Sequence, residues 1–197
     1  MTVDIVFSIS GHSIPRDHGF MLWRELRMCL PWLDAEAHAG IHTIRGVPAT
    51  DDMLLLTHRA NLVLRLPETR LTDALGLSGR QFDLDGHMLK IGSARQRPLQ
   101  AFATLYSNLV CTGNDDELDF LDDIAAQLAL INVECKFMCG KQRALRADQA
   151  VIHGYSLMLH GLGAEQSVLL QQTGVGNHRK LGCGILVPHK SIAAVAA

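Results

Sequence analysis

Aromatic side chains are scarce in this chain of 197 residues, 5% in all against an apolar content of 48%. So few rings give few platforms for stacked bases, and any nucleic-acid recognition is expected to depend on backbone and shape more than on stacked single bases. Long apolar runs are also missing. None reaches the roughly 18 residues of a membrane-spanning helix. Met1 to Phe7 lack the charged start and cleavage site of a secretory leader, so the expected location is the cytoplasm. Cysteine is sparse and odd in number: five, at 29, 111, 135, 139 and 183, form no disulfide framework and are expected to be reduced. Cys135 and Cys139 have no second pair or neighbouring His to complete a zinc site. No metal or other cofactor is expected. Nor is there an excess of one charge, since the formal net charge is -2.

The distribution of charge says more than its sum. Acids concentrate between Asp115 and Asp123, whereas Lys136, Lys141, Arg143 and Arg146 follow within a short span. Arg95 with Arg97, and Arg179 with Lys180, form two further basic clusters. Local basic patches on a near-neutral protein suit a partner bound on one face.

Residues 174 to 184 form the most distinctive stretch. Gly174, Gly176, Gly182 and Gly184 surround Asn177, His178, Arg179 and Lys180, so a tightly turning backbone holds cations near any approaching anion. The stretch follows a helix-like segment, Ala164 to Gln172, and precedes the apolar run Gly184 to Val187. It lacks the Gly-Lys-Ser/Thr end of a P-loop and does not follow a strand and open a helix as a dinucleotide fingerprint must.

Taken in order, Thr2 to Ile9 alternates Val3, Ile5, Phe7 and Ile9 as a half-buried strand. A helix is expected from Ser13-Ile14-Pro15, with Pro15 in its first turn, Leu22, Leu26, Cys29 and Leu30 inward, and Pro31 at its end. Ile41 to Val47 and Asp52 to Thr57 read as strands around a turn at Pro48 to Asp51, followed by the alternation of Leu62, Leu64 and Leu66. Leu71 to Leu77 is a short helix. Asp85-Gly86 marks a hairpin within Gln81 to Ile91. A second cycle runs through a strand at Ala101 to Val110 and a helix at Asp115 to Leu130, with Leu118, Leu121, Ala125 and Leu128 on one side. It continues through a hairpin turning near Cys139 and Gly140, a strand at Ala150 to His160, and the last helix and strand. The pattern predicts an α+β fold of two tandem ferredoxin-like (RRM-like) domains, residues 1–98 and 99–197.

Four motifs in this order resemble the CRISPR-associated repeat endoribonucleases of the Cas-six group, particularly the short Myxan-type branch. They are Ile14-Pro15-Arg16-Asp17-His18-Gly19, Gly40-Ile41-His42-Thr43-Ile44-Arg45-Gly46, Asp83-Leu84-Asp85-Gly86-His87 and the loop at 174–184. The terminal loop is the mark of the group, and the Gly-Ile-His segment points to the branch. The resemblance implies tandem ferredoxin-like folds and cleavage of precursor CRISPR RNA within each repeat. In some members the product stays bound and joins an interference complex, so other complex subunits are expected partners beside the repeat RNA.

The chemistry follows from RNA itself. Its 2′-hydroxyl is a nucleophile already adjacent to the phosphate, so a protein need only align it, move protons and offset charge. The expected ends are a 2′,3′-cyclic phosphate and a 5′-hydroxyl, formed without a metal. Among ten histidines, position selects His42, after the first helix, where several members of the group carry a catalytic histidine. His18, at a helix start that favours neutral imidazole, is the alternative, and His38 a third. Gly174, Gly176, Asn177, His178, Arg179, Lys180, Gly182 and Gly184 are expected to bind RNA, with Lys141, Arg143 and Arg146 as a second contact. Two other functions remain open at this stage: a crRNA-binding subunit that does not cut, and a ferredoxin-like module binding a small anion at 174–184.

Overall fold

A computed structural model describes residues 1–50 and 52–190. Asp51, the end of one expected turn, and the last residues of the second expected domain lie outside that set. The strands and helices are β1 (Thr2–Ser10), β2 (Ser13–Pro15), α1 (Gly19–Cys29), β3 (Gly40–Ile41), β4 (Val47–Pro48), β5 (Met53–Leu55), β6 (Asn61–Pro67), α2 (Leu71–Leu75), β7 (Gln81–Leu84) and β8 (His87–Pro98). The remainder are β9 (Thr104–Val110), α3 (Glu117–Leu130), β10 (Lys136–Ala147), β11 (Ala150–His160), α4 (Ala164–Thr173) and β12 (Val187–Pro188). The fold is α+β. Among the described residues no helix is long and apolar enough to cross a membrane.

The chain divides into two compact units. The first comprises Met1–Leu99 and takes in two later segments, Leu145–Val151 and Arg179–Gly182; the second comprises Gln100–Ala144, Ile152–His178 and Cys183 onward. A division by sequence position at 98/99 does not anticipate these returns.

In the first unit a five-stranded sheet has the order β3-β6-β1-β8-β7, and β2, β5 and β4 form a separate small sheet. β1 is central, and its alternation aims Val3, Ile5, Phe7 and Ile9 into a core with Leu22 and Leu26 of α1 and Leu62, Leu64 and Leu66 of β6. The strand is not half-buried as expected, because Asp4 and Val6 on its other face are also buried. Pro15 does not enter α1 but ends β2, where Ser13, Ile14 and Pro15 pair with Leu55, Leu54 and Met53. Strand pairing outweighs the local preference of Pro for a first helical turn, and α1 begins later with His18 at its N-cap. The expected strand over Ile41 to Val47 survives only at its two ends, β3 and β4, which join different sheets. Asp85 and Gly86 both take positive φ, 56° and 83°, as a two-residue hairpin turn between β7 and β8 requires.

In the second unit the sheet order is β10-β11-β9-β12. The Asp116 side chain caps α3 by accepting from the Leu118 and Asp119 amides. Its buried stripe is Phe120, Ile124 and Leu128. Leu118, expected inward, is 73% exposed because the cap places it in the first turn on the solvent side. The hairpin does not turn near Cys139 and Gly140: β10 runs on to Ala147, and Asp148, with φ of 56°, lies at the turn. Strand alternation then splits the basic run of β10, with Lys141 and Arg143 on one face and Arg146 on the other.

Candidate active site

Asp4 is an acid on an otherwise apolar strand. Cross-strand register puts Arg65 of β6 directly opposite on one side and Arg97 of β8 on the other, so three charges line up across three strands on the face away from the first unit's core. Arg65 donates from Nε to Asp4 Oδ1 at 2.7 Å and from a terminal nitrogen to Oδ2 at 3.2 Å. Arg97 donates to Oδ2 at 2.9 Å. Burial opposes ionisation of Asp4, but contact with His42 and the Arg65 guanidinium outweigh it and hold the carboxyl far below its ordinary range.

His42 enters this array from the edge of the sheet. Ile41 pairs with Leu64, and the His42 amide donates to Val63 O at 3.0 Å, which fixes the backbone beside β6. Its Nε2 is buried, 3.6 Å from Asp4 Oδ1, within ion-pair range but beyond a hydrogen bond. The side chain is 13% exposed. Burial, reinforced by Arg65 and Arg97 and only partly opposed by Asp4, pulls its pKa down to about 4. The imidazole is therefore neutral at pH 7 and able to accept a proton.

His18 has a different environment. It is buried, its Nδ1 lies 2.9 Å from Pro15 O, and its Nε2 accepts the Ile44 amide at 2.9 Å. A carbonyl oxygen only accepts, so Nδ1 carries the proton and both ring nitrogens are engaged. Burial lowers its pKa, with backbone contacts opposing. The favoured neutral form was expected from the helix end, whereas exclusion from water is the larger cause. The ring ties the start of α1 to the segment that carries His42. His38 is exposed and outside this array.

Most amides of the glycine-rich loop are bonded within the fold. The amides of Gly174, Val175, Gly176 and Asn177 donate to Leu170 O, Gly184 O, Gln127 Oε1 and Cys111 O, and the Asn177 side chain donates to Thr112 O. The amides of Gly182, Cys183 and Gly184 donate to Arg179 O, His178 O and Leu109 O. These groups brace the loop rather than form an open nest of donors. His178 is exposed at the bend with φ of 61°. Arg179 to Leu181 make a short 3-10 turn, and Lys180 Nζ donates to Asp34 O at 2.6 Å. Burial, with the like charge of Arg65 as a smaller cause, lowers the Arg179 pKa to about 10. Gly182 closes against the His42 segment. A Cβ there would lie 2.7 Å from Thr43 Cγ2, and its φ of 95° disfavours any other residue. Lys141, Arg143 and Arg146 are exposed on β10, and the Arg146 amide donates to Asp17 Oδ2 at 3.1 Å.

Asp4 and Arg65 were not singled out by sequence reasoning, and Arg97 only as part of a basic pair. The signal was present in both strands: one acid and one base interrupt apolar alternations that later prove to be neighbours. Only strand order makes them partners.

A site of this kind, a neutral histidine beside one carboxylate and an excess of guanidinium groups, is suited to proton transfer next to a polyanion. A sequence profile described as Cas6 Crispr matches residues 3–191, and the chain belongs to the Cas6 family. That classes it as a Cas6-family endoribonuclease. It is 30% identical over 194 residues to the CRISPR-associated endonuclease Cas6 of Myxococcus xanthus (strain DK1622), covering 98% of this chain and 84% of that protein. Among solved structures, a CRISPR associated protein Cas6 matches with a TM-score of 0.67 at 13% identity, over 96% of this chain and all of that one (100%). A structure described as the characterization of a Cas6-related gene from Pyrococcus furiosus matches with a TM-score of 0.63 at 13% identity, over 95% of this chain and 98% of that one. At such identities the two structures speak for the fold alone.

Proposed function

We propose that this protein binds the repeat of precursor CRISPR RNA and cuts it by metal-independent transesterification, leaving a 2′,3′-cyclic phosphate and a 5′-hydroxyl. The observation that carries the reading is a neutral, mostly buried His42 beside Asp4, where Arg65 and Arg97 outnumber the carboxylate. Excess cationic charge attracts a phosphate, and a neutral imidazole takes the proton of the 2′-hydroxyl as that oxygen attacks phosphorus. The bond to the 5′-oxygen breaks, and that oxygen takes a proton from solvent. Arg97, 52% exposed, is the guanidinium best able to meet the charge that develops on the phosphorane. We assign His18 to holding the His42 segment, since both of its ring nitrogens are occupied.

The exposed His178 and the cations Arg179 and Lys180 make the RNA contact we assign to the glycine-rich loop, with Gly174, Gly176, Asn177, Gly182 and Gly184 setting its shape. Lys141, Arg143 and Arg146 form a second basic contact along β10. Each compact unit is read as a ferredoxin-like layer, and the chain as a member of the Myxan-type branch, a reading supported by the Myxococcus xanthus relative. Retention of the cut RNA within an interference complex belongs to the same reading.

The test is an incubation of protein with its repeat RNA in EDTA, resolved on a denaturing gel, with the product ends treated by a phosphatase that acts on 3′-phosphates only after acid opening of the cyclic ester. A discrete cut with an acid-sensitive end is expected. Tight binding of intact repeat would instead identify a crRNA-binding subunit that does not cut. No preference for repeat over arbitrary RNA of equal length would point to the small-anion module.

A further inference from the structure

Asp4 is too deeply placed to meet RNA, yet it has contacts on every side. It is 3% exposed and takes donors from two strands, Arg65 at 2.7 and 3.2 Å and Arg97 at 2.9 Å. A carboxylate held by three such bonds has little freedom to turn. His42 approaches the same Oδ1 that Arg65 holds, with Nε2 at 3.6 Å. A buried carboxylate only accepts, so the ring arrangement it favours has hydrogen on Nε2 and the lone pair on Nδ1.

We propose that Asp4 is a positioning residue for the proton transfer: fixed by Arg65 and Arg97, it selects the His42 tautomer with hydrogen on Nε2, leaving Nδ1 as the basic nitrogen. The inference rests on the cleavage reading above, and it adds which nitrogen works and what determines it. Buried Nε2 faces the protein, so the nitrogen free to meet a 2′-hydroxyl is Nδ1. The two arginines act twice: they keep Asp4 ionised, and they keep it in place. Among the described residues, the charged groups that act on the ring's titration are Asp4 on β1, Arg65 on β6 and Arg97 on β8.

Asp4→Asn keeps the shape but presents an amide that can donate as well as accept. The ring then loses its bias, and a partner that holds a catalytic or ligating histidine in place is typically worth about 10- to 100-fold. We expect single-turnover cleavage to fall by that factor while affinity for uncut repeat changes by less than about threefold. The acid limb of the rate profile should move to lower pH, because Arg65 and Arg97 then face His42 without an intervening negative charge.

The direct measurement needs no variant. In the full chain labelled with 15N-histidine, long-range couplings at pH 7 report which nitrogen of His42 carries hydrogen, the signal being assigned by its loss in His42→Ala. Hydrogen on Nε2 is expected. Hydrogen on Nδ1 in the native protein overturns the proposal, even if Asp4→Asn fails to fold; so does an Asp4→Asn protein that cuts at the native rate. A native protein that cuts no repeat RNA would overturn the function proposed above, while leaving the tautomer measurable and the two failures distinct.

Discussion

Asp4 and Arg65 face each other across the β1–β6 pair, and Arg65 meets both carboxylate oxygens, at 2.7 and 3.2 Å. Neither side chain has appreciable access to water. Removing one member of a buried pair strands the other, at a cost of about 3–5 kcal/mol. Arg65→Gln should fall at the lower end, about 3 kcal/mol, since Arg97 still neutralises Asp4. Urea denaturation checks this, and a loss below about 1 kcal/mol would mean that the pair is no more than a surface contact.

His42→Ala separates chemistry from binding. The ring is neutral at pH 7, so its removal changes little charge, and repeat affinity should barely move. Single-turnover cleavage should fall by about 10²- to 10⁴-fold, the usual range for a general acid or base. An equal loss of affinity and rate would assign His42 to binding.

The depressed pKa of His42 also has a signed effect on stability. Its value is 6.5 unfolded and about 4 folded, so between these pH values the unfolded chain binds more protons and stability declines as pH falls. The decline from this group starts near 6.5 and is complete below about 4, where it amounts to about 3 kcal/mol at most. His42→Gln should flatten that part of the curve measured by urea midpoints. An unchanged slope would mean that the ring is protonated in the folded protein.

His18→Ala should lower stability and cleavage together. The change removes a donor to Pro15 O and leaves the Ile44 amide without its acceptor, a loss of about 1–3 kcal/mol. Thermal unfolding and single-turnover cleavage should shift in parallel. A variant with native melting that no longer cuts would transfer the proton-carrying role to His18.

Replacing Lys180 with Gln, and then Arg179 as well, tests the loop. Each cation that neutralises an RNA phosphate contributes about 0.7 to 0.9 to the slope of log affinity against log salt. Both the affinity for repeat RNA and that slope should fall stepwise in the two variants. Equal slopes in filter binding would remove the loop from the interface. The lysine is the cleaner probe, because Arg179 is largely withdrawn from water and feels the like charge of Arg65.

The amino-acid sequence by itself determined the α+β class, the inward faces of β1 and β6, the Asp85-Gly86 turn and α4, since each depends on local periodicity or turn chemistry. The α3 stripe came out differently because Leu118 satisfies helical spacing yet lies exposed in the capped first turn. Pro15 was misplaced for a related reason: pairing with Met53 is decided by a residue distant in the chain. The charge array was beyond local reading altogether. Arg65 and Arg97 lie 61 and 93 positions from Asp4 and meet it only because β1 runs between β6 and β8. Tertiary structure likewise decided that most amides of the glycine-rich loop serve internal bonds and that Gly182 packs on Thr43. Burial and neighbouring charge are properties of that assembled arrangement, and they make His42 neutral while it remains next to a carboxylate.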